Sequence, residues 1–254
     1  MDNTQVGDVE QLLDCFEQSQ NTVFFTGAGI STESGIADFR SPGGIWTKIK
    51  PIQYNDFLAN EELRMEDWRR RFHFQREFDA ALPNAGHYFI ANYLARQNAG
   101  GLITQNIDGL HQRAGLNDDQ IVEIHGNGTK AACLDCKSPM ALPQAQQLIE
   151  EYGQAPRCIR CNGLVKANVI SFGQPMPQEK VRQAQSLAEN CDLFVVLGSS
   201  LVVQPAATIP IIAQRNGARL VILNRESTHL DDVADLVVKD SIGEILQQVQ
   251  SFMT

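Results

Sequence analysis

Three short stretches carry residue types able to do chemistry. Gly27-Ala28-Gly29-Ile30-Ser31 follows an apolar run, and Thr104-Gln105-Asn106-Ile107-Asp108-Gly109-Leu110-His111 lies near the middle of the chain. His125-Gly126 comes shortly before two cysteine pairs, Cys133-x2-Cys136 and Cys158-x2-Cys161. Glycines in a turn after a strand let the backbone approach a pyrophosphate, and amide hydrogens with a helix terminus supply positive potential. Position 32 is Thr32, so the full Gly-x-Gly-x-x-Gly spacing is absent, and no Gly-Lys-Ser/Thr makes a P-loop. By itself the turn reads as a nucleotide loop or as an ordinary tight turn. Gly198-Ser199-Ser200 and Asn224-Arg225 each follow a further apolar run, and residues of this kind at strand ends favour the nucleotide.

Gln105 and Asn106 offer donors and acceptors to a ribose or a carboxamide. Asp108 could accept a hydrogen bond or stabilise a developing cation. His125 is either a base that takes a proton from a hydroxyl or a structural histidine. His87 sits in an amphipathic stretch and reads as structural, while His111 is expected to support the loop at 106–108. The cysteine spacing brings four thiolates to one tetrahedral ion, which favours Zn²⁺ over an iron–sulfur cluster. All four ligands are protein sulfurs, so the metal is structural. Cys15 and Cys191 lie in or beside apolar elements and are expected to be buried and inert.

These groups need a scaffold. Val9, Leu12, Leu13 and Phe16 predict a helix over 8–19. Apolar runs predict strands at 22–26, 102–104, 121–124, 192–197, 219–223 and 236–238. Helices are predicted over 84–97, 178–190, 206–216 and 241–251, with two or three short ones over 54–80. A helix is expected to begin near Ser31, capped by its hydroxyl. Gly35 and Ser41-Pro42-Gly43-Gly44 predict a movable loop over the nucleotide. Apolar strands alternating with helices argue for an α/β fold with a parallel sheet covered on both faces. Two excursions, 46–83 and 128–165, interrupt it and are expected to form a second lobe, with the site in the groove between.

The chain has 254 residues and a formal net charge of −9. It is long enough to bury a sizeable core unaided. Its densest basic run, Arg69-Arg70-Arg71 beside Trp68, is too short for a nonspecific nucleic-acid binder. No apolar run approaches the ~20 residues of a membrane span. The first residues lack the pattern of a secretory signal, so a cytoplasmic protein is expected.

In its motifs the chain resembles the sirtuins, the NAD-dependent protein-lysine deacylases. The resemblance rests on Gly27 to Ser31, Ser34-Gly35-Ile36-Ala37-Asp38-Phe39-Arg40, Thr104 to Asp108, Leu110-His111, His125-Gly126 and both cysteine pairs. Phe172-Gly173-Gln174, Gly198-Ser199-Ser200-Leu201, Pro205-Ala206-Ala207 and Asn224 extend it. It implies a Rossmann-like NAD-binding domain of residues 1–45, 84–127 and 166–254. A small lobe would combine a helical module, 46–83, with a zinc ribbon, 128–165. NAD would contact Gly27, Ala28, Gly29, Ile36, Asp38, Phe39, Arg40, Gln105, Asn106, Asp108, Gly198, Ser199, Ser200, Asn224 and Arg225. One structural Zn²⁺ would sit on Cys133, Cys136, Cys158 and Cys161. An acyl-lysine peptide would add as a strand near Val169, Phe172, Gly173 and Gln174 on one side and Leu201 and Val202 on the other.

The resemblance also implies a reaction. The acyl oxygen attacks the nicotinamide ribose and nicotinamide leaves, with Asn106 and Asp108 orienting or stabilising the cationic sugar. Phe39 covers the reacting face, Arg40 steadies the diphosphate or the loop, and His125 accepts a ribose-hydroxyl proton. Free lysine and O-acyl-ADP-ribose are released. Ala37 stands where the family commonly has proline, Lys166 where arginine is common, and Gln174 where glutamate is usual. Succinyl-selective members carry a tyrosine and an arginine three apart, for which Trp68 and Arg71 are the nearest candidates here. Trp68 lacks the phenolic hydroxyl, so a neutral acetyl or longer acyl group is expected. Trp46, Phe57 and Phe72 are candidates for the acyl wall. ADP-ribosyl transfer to protein and non-catalytic nucleotide sensing are the competing readings. Neither a nucleic acid nor a membrane is expected as a partner, and the chain is expected to act as a monomer.

Overall fold

The computed structural model describes residues 3–97 and 99–253. In chain order it builds α1 (Asn3–Gln18), β1 (Thr22–Thr26), α2 (Ile45–Lys48), α3 (Tyr54–Ala59), α4 (Glu61–Ala80), α5 (Ala85–Leu94) and β2 (Gly101–Thr104). There follow α6 (Leu110–Arg113), β3 (Ile121–Glu123), β4 (Gly126–Cys133), β5 (Pro139–Met140), α7 (Leu142–Tyr152) and β6 (Val165–Val169). The last elements are α8 (Gln178–Asn190), β7 (Leu193–Leu197), α9 (Ile209–Arg215), β8 (Arg219–Leu223), β9 (Leu236–Val238) and α10 (Ile242–Phe252).

Six strands form a parallel sheet in the order β3-β2-β1-β7-β8-β9. Alternation along the strands splits their side chains between two cores. Phe24, Leu102, Val195 and Val221 meet Leu12 and Phe16 of α1, Phe89 and Ile90 of α5, and Ile245 and Leu246 of α10. Val23, Phe25, Ile103, Phe194 and Ile222 meet Ala184 and Ala188 of α8 with Ile209 and Ala213 of α9. Small residues on α8 and α9 let those helices lie close to the sheet. Cys15 and Cys191 are buried within these two cores, and burial pushes the Cys191 thiol up to about 12. Such a thiol forms almost no thiolate at neutral pH and is inert.

Several boundaries differ from expectation for identifiable reasons. Asn84 caps α5 instead of starting it: its Oδ1 accepts from the Gly86 amide at 3.0 Å, and His87 completes a capping box. Ser31 caps no helix. It lies inside a 3₁₀ segment over Ala28–Ser34, and its hydroxyl bonds elsewhere. The stretch 54–80 holds one short helix and one of 20 residues, because Asn60 both ends α3 and caps α4 through Leu63. Residues 206–216 begin as a 3₁₀ turn before α9.

Residues 126–169 build a separate antiparallel sheet, β5-β4-β6. Its small core joins Cys133, Met140, Ala145, Cys158 and Val165 to Trp68 of α4. Glu61 at the start of α4 accepts from the Ala155 amide at 2.6 Å, tying helix to module. The four paired cysteine sulfurs lie within 4.8 Å of one another. Cys133 and Cys161 are 3.5 Å apart, as are Cys136 and Cys158. A disulfide would need about 2.0 Å. Zn–S bonds of about 2.3 Å in a tetrahedron set sulfurs about 3.8 Å apart, so the donor set fits zinc. Cys133→Ala removes one of four ligands from a module whose core is otherwise thin. Structural zinc contributes on the order of 10 kcal/mol. Bound zinc, measured by a colorimetric chelator, should fall to near zero, and residues 130–165 should become protease-sensitive; unchanged zinc would refute the assignment.

His87 is fully buried, with its ring 4.8 Å from that of His111. Burial holds His87 down at about 4, and burial, aided by the His87 charge, also holds His111 well below its ordinary value. The unfolded ring takes its proton near 6.5. Between pH 6.5 and 4 the unfolded chain therefore binds more protons, and stability drops as pH falls through that window, by roughly 3 kcal/mol for His87. His87→Gln should flatten this limb in urea denaturation measured from pH 7 to 4; the same slope in both proteins would exclude the effect.

Candidate active site

Strand order reverses between β1 and β7: β2 and β3 lie on one side, β8 and β9 on the other. Open parallel sheets bind ligands at the carboxyl ends of strands where this happens. Here the turn after β1 presses on the turn after β7. The Gly27 amide donates to the Leu197 carbonyl at 3.0 Å and the Gly29 amide to the Gly198 carbonyl at 2.8 Å. A Cβ on Gly27 would lie 2.6 Å from the Gly198 oxygen, and Gly198 itself has φ +64°. Only glycine suits both positions. The amides of Ala28, Ser199 and Ser200 have no protein acceptor among the described residues, which leaves donors for a pyrophosphate.

A cavity of about 810 Å³ opens over these turns, within the ~300–1,000 Å³ of small-molecule sites. Every residue assigned above to NAD lines it, as do His125, Val169, Phe172, Gly173, Gln174 and Val202. These residues and the unpartnered amides fit a dinucleotide. Leu201 does not line the cavity. Its side chain is buried in the core beneath the sheet, so only its backbone remains for a peptide. Of the proposed acyl wall, Trp46 faces the cavity and packs on Phe39 at 5.1 Å and Phe172 at 5.8 Å. Phe57 is buried under Lys166, and Phe72 stacks on Trp68 in the small-lobe core. Trp68 is likewise turned away from the cavity, whereas Arg71, Phe74 and Phe78 line it.

The polar residues are held by one another. Asn106 donates through Nδ2 to the Gly27 carbonyl at 3.1 Å and to Ser31 Oγ at 3.2 Å. Ser31 donates to Asp108 Oδ2 at 2.8 Å, and the Leu110 amide donates to Asp108 Oδ1 at 2.9 Å. Behind them Thr104 Oγ1 accepts from the Asn106 amide and from Thr26 Oγ1. With the Thr26 proton so committed, His111 Nε2 donates to Thr26 Oγ1 at 3.0 Å. His111 thus supports strand ends β1 and β2 directly and the loop at 106–108 through Thr104. Gln105 Nε2 donates to Ser199 Oγ at 2.7 Å, joining the polar cluster to the β7 turn. Ser31, Thr26 and Thr104 had no local signal for these roles, since their partners lie as far as 85 residues away.

Burial raises the Asp108 carboxyl above its ordinary range, against the bonds from Leu110 and Ser31. Asp38 goes the other way: burial is outweighed by hydrogen bonds from Ser41 and Arg40, both of whose amides are 2.8 Å from Oδ1. These bonds pin the loop that carries Phe39. His125 is pushed below 6.5 by burial and by the Arg40 charge, against the Gln105 carbonyl. That carbonyl, 3.3 Å from Nδ1, can only accept, so Nδ1 carries the proton and Nε2 offers a lone pair. The arrangement can take a proton from a hydroxyl in the cavity and can face a developing cation with a carboxylate and an amide.

Comparison with known proteins agrees with this geometry. The model of the Sir2 family matches residues 27–205. NAD-dependent protein deacetylase 1 of Bradyrhizobium diazoefficiens is 49% identical over 238 residues, covering 94% of this chain and 93% of its own. NAD-dependent protein deacylase 2 of Pyrobaculum aerophilum is 42% identical, covering 93% and 92%. Among solved structures, a Sir2 protein with a deacetylated p53 peptide and 3′-O-acetyl ADP ribose superposes with a TM-score of 0.86 at 36% identity, covering 96% and 98%. A Sir2 structure bound to a propionylated peptide gives 0.84 at 35%, with the same coverage. Relatedness on this scale runs through both the sheet turns and the cysteine module, and the chain belongs to the Sir2 family.

Proposed function

We propose that the protein is an NAD-dependent protein-lysine deacylase that releases nicotinamide and passes the acyl group to ADP-ribose. The observation that carries this reading is the neutral His125, its Nδ1 tied to the Gln105 carbonyl, in one cavity with Asn106 and Asp108. The relatives named as deacetylases and deacylases support it.

NAD supplies the labile bond between ribose and nicotinamide and the sugar carbon that an acyl oxygen attacks. The chain's own residues do the rest. The turns at Gly27–Gly29 and Gly198–Ser200 would hold the diphosphate, and Asn224 and Arg225, which also line the cavity, would take part in holding the nucleotide. Asp38, Ile36 and Asp108 enclose the carboxamide. Asn106 is fixed by Gly27 and Ser31 before substrate arrives, so its amide needs no reorganisation. Asp108 would offset positive charge that develops on a sugar bound there. Phe39, backed by Trp46, covers the reacting face against water. Nε2 of His125 takes the ribose-hydroxyl proton. Backbone near Phe172–Gln174 and Ser200–Val202 pairs with the peptide, so acyl-lysine is recognised more than sequence. The four paired thiolates support a reducing, cytoplasmic compartment. No described helix is long and apolar enough to cross a membrane.

With NAD and an acetyl-lysine peptide, mass spectrometry should find nicotinamide, free lysine peptide and O-acetyl-ADP-ribose in equal amounts. His125→Ala should still bind NAD but turn over at least ~100-fold more slowly. Full activity in that variant would refute the base. Adenylate label bound covalently to protein would instead favour ADP-ribosyl transfer. Because His125 must be neutral and its proton affinity is depressed, the acidic limb of kcat/KM should have its midpoint below pH 6.5. An acidic limb with its midpoint above pH 6.5 would contradict the assignment.

A further inference from the structure

His125 has little to hold it directly. Among the described residues its ring makes one hydrogen bond, to the Gln105 carbonyl, and at 3.3 Å that bond is long. The backbone beside it turns sharply. Gly126 has φ +80°, and a Cβ there would lie 1.8 Å from the Asn168 oxygen. Beyond Gly126 the pairing of β4 with β6 lapses until Ala131. The chain between them needs another hold.

Glu123 supplies it. Its Oε1 accepts from Asn127 Nδ2 at 2.5 Å and from Gln112 Nε2 at 2.8 Å. Asn127 is buried and turns its own Oδ1 to the Thr129 amide at 2.8 Å and hydroxyl at 2.6 Å. The Gly128 amide then donates to the Ile107 carbonyl at 2.8 Å. Glu123 and Asn127 stand two residues before and two after His125. The carboxylate therefore closes a short loop with the base at its centre. Gln112 belongs to α6, which starts just after Asp108, and the Glu123 charge is felt at Asp108 itself. One side chain ties the turn that carries the base to the element that follows the cleft carboxylate.

A carboxylate suits this place because one oxygen can take two N–H donors and has no proton to turn against either. Bonds to a charged acceptor are also stronger than neutral ones. Glu123, Asn127 and Gln112 do not line the large cavity, so none of them meets nucleotide or peptide there. We propose that Glu123 is a positioning residue for the base: through Asn127 and Gln112 it fixes the turn from which His125 reaches a ribose hydroxyl. The inference rests on the deacylase reading of the cleft. In that reading nicotinamide leaves before His125 takes a proton. A fault confined to the base therefore spares the first step and slows the second, whereas a fault in the fold harms both.

The test compares the unaltered protein with Glu123→Ala, Asn127→Asp and the double variant Glu123→Gln/Asn127→Asp. Asn127→Asp sets two carboxylates against each other, and the double variant restores the bond with donor and acceptor exchanged. With NAD and an acetyl-lysine peptide, exchange of labelled nicotinamide into NAD reads the first step, and free-lysine peptide reads the second. Each single variant should lose at least ~30-fold in kcat for deacylation, while nicotinamide exchange and the KM for peptide stay within about threefold. The double variant should recover most of that loss. Nitrogen-15 spectra of the histidine rings, with the His125 signals assigned by their loss in His125→Gln, should show the Nδ1-protonated tautomer in the unaltered protein and the double variant. Asn127→Asp should give a mixture. Should Glu123→Ala fail to fold, Asn127→Asp and its rescue decide. Exchange and deacylation falling together would make Glu123 a support of the fold and overturn the proposal. Full deacylation in both single variants, or a double variant no better than Asn127→Asp, would do the same. An unaltered protein that neither exchanges nicotinamide nor frees lysine would defeat the deacylase reading. The spectra would then decide alone, and a His125 tautomer unchanged in both single variants would overturn the positioning role.

Discussion

The contact between two glycine turns at the reversal of the sheet is the constraint on which the rest depends. Gly27 and Gly29 approach the Gly198 backbone so closely that neither can carry a side chain. Two backbone hydrogen bonds hold that approach. It brings the ends of β1 and β7 together, and Gln105 at the end of β2 then reaches Ser199. Three strand ends thus converge, and the turns after β1 and β7 keep the spare amides of Ala28, Ser199 and Ser200. A nucleotide cradle follows from the topology once the turns can touch.

A buried polar chain lies behind the cradle. It runs from His111 through Thr26 and Thr104 to Asn106, and from Asn106 through Ser31 to Asp108. Such networks are costly when incomplete and rigid when satisfied. Each member orients the next, so the groups facing the cavity are set before substrate arrives. Backing of this sort is what keeps a reacting group within a fraction of an ångström of its working position.

Much of the scaffold was legible in the sequence. The six parallel strands are short apolar runs bounded by turn residues, and strand 219–223 coincides with the structure residue for residue. The cysteine pairs announced their own geometry by spacing. The small lobe was harder to read. β4 has the sequence GNGTKAAC, with little alternation, and pairs with a strand more than thirty residues on. Its helix α7 is amphipathic, but the cysteines on either side drew the reading away from it. In the cleft, residue type pointed to Asn106, Asp108 and His125. Ser31 was misread as a cap because its partner Asp108 is 77 residues distant. Arg71 stood in the sequence both as the end of a basic run and, with Trp68, as the nearest candidate for an acyl contact. Only folding shows that Trp68 turns inward and Arg71 faces the cavity, since a helix places positions three apart on neighbouring but different lines.

His125 and Cys133 share one stretch of backbone. β4 starts at Gly126, immediately after the histidine, and ends at the first thiolate. At ~3.3 Å per residue an extended chain of this length spans more than 20 Å. The β4–β6 register shifts between Gly126 and Ala131, so the strand is least firmly paired in its middle. A rigid knot therefore anchors one end of a lever, and the imidazole rides near the other. A metal that never meets substrate can in this way set the aim of the group that does.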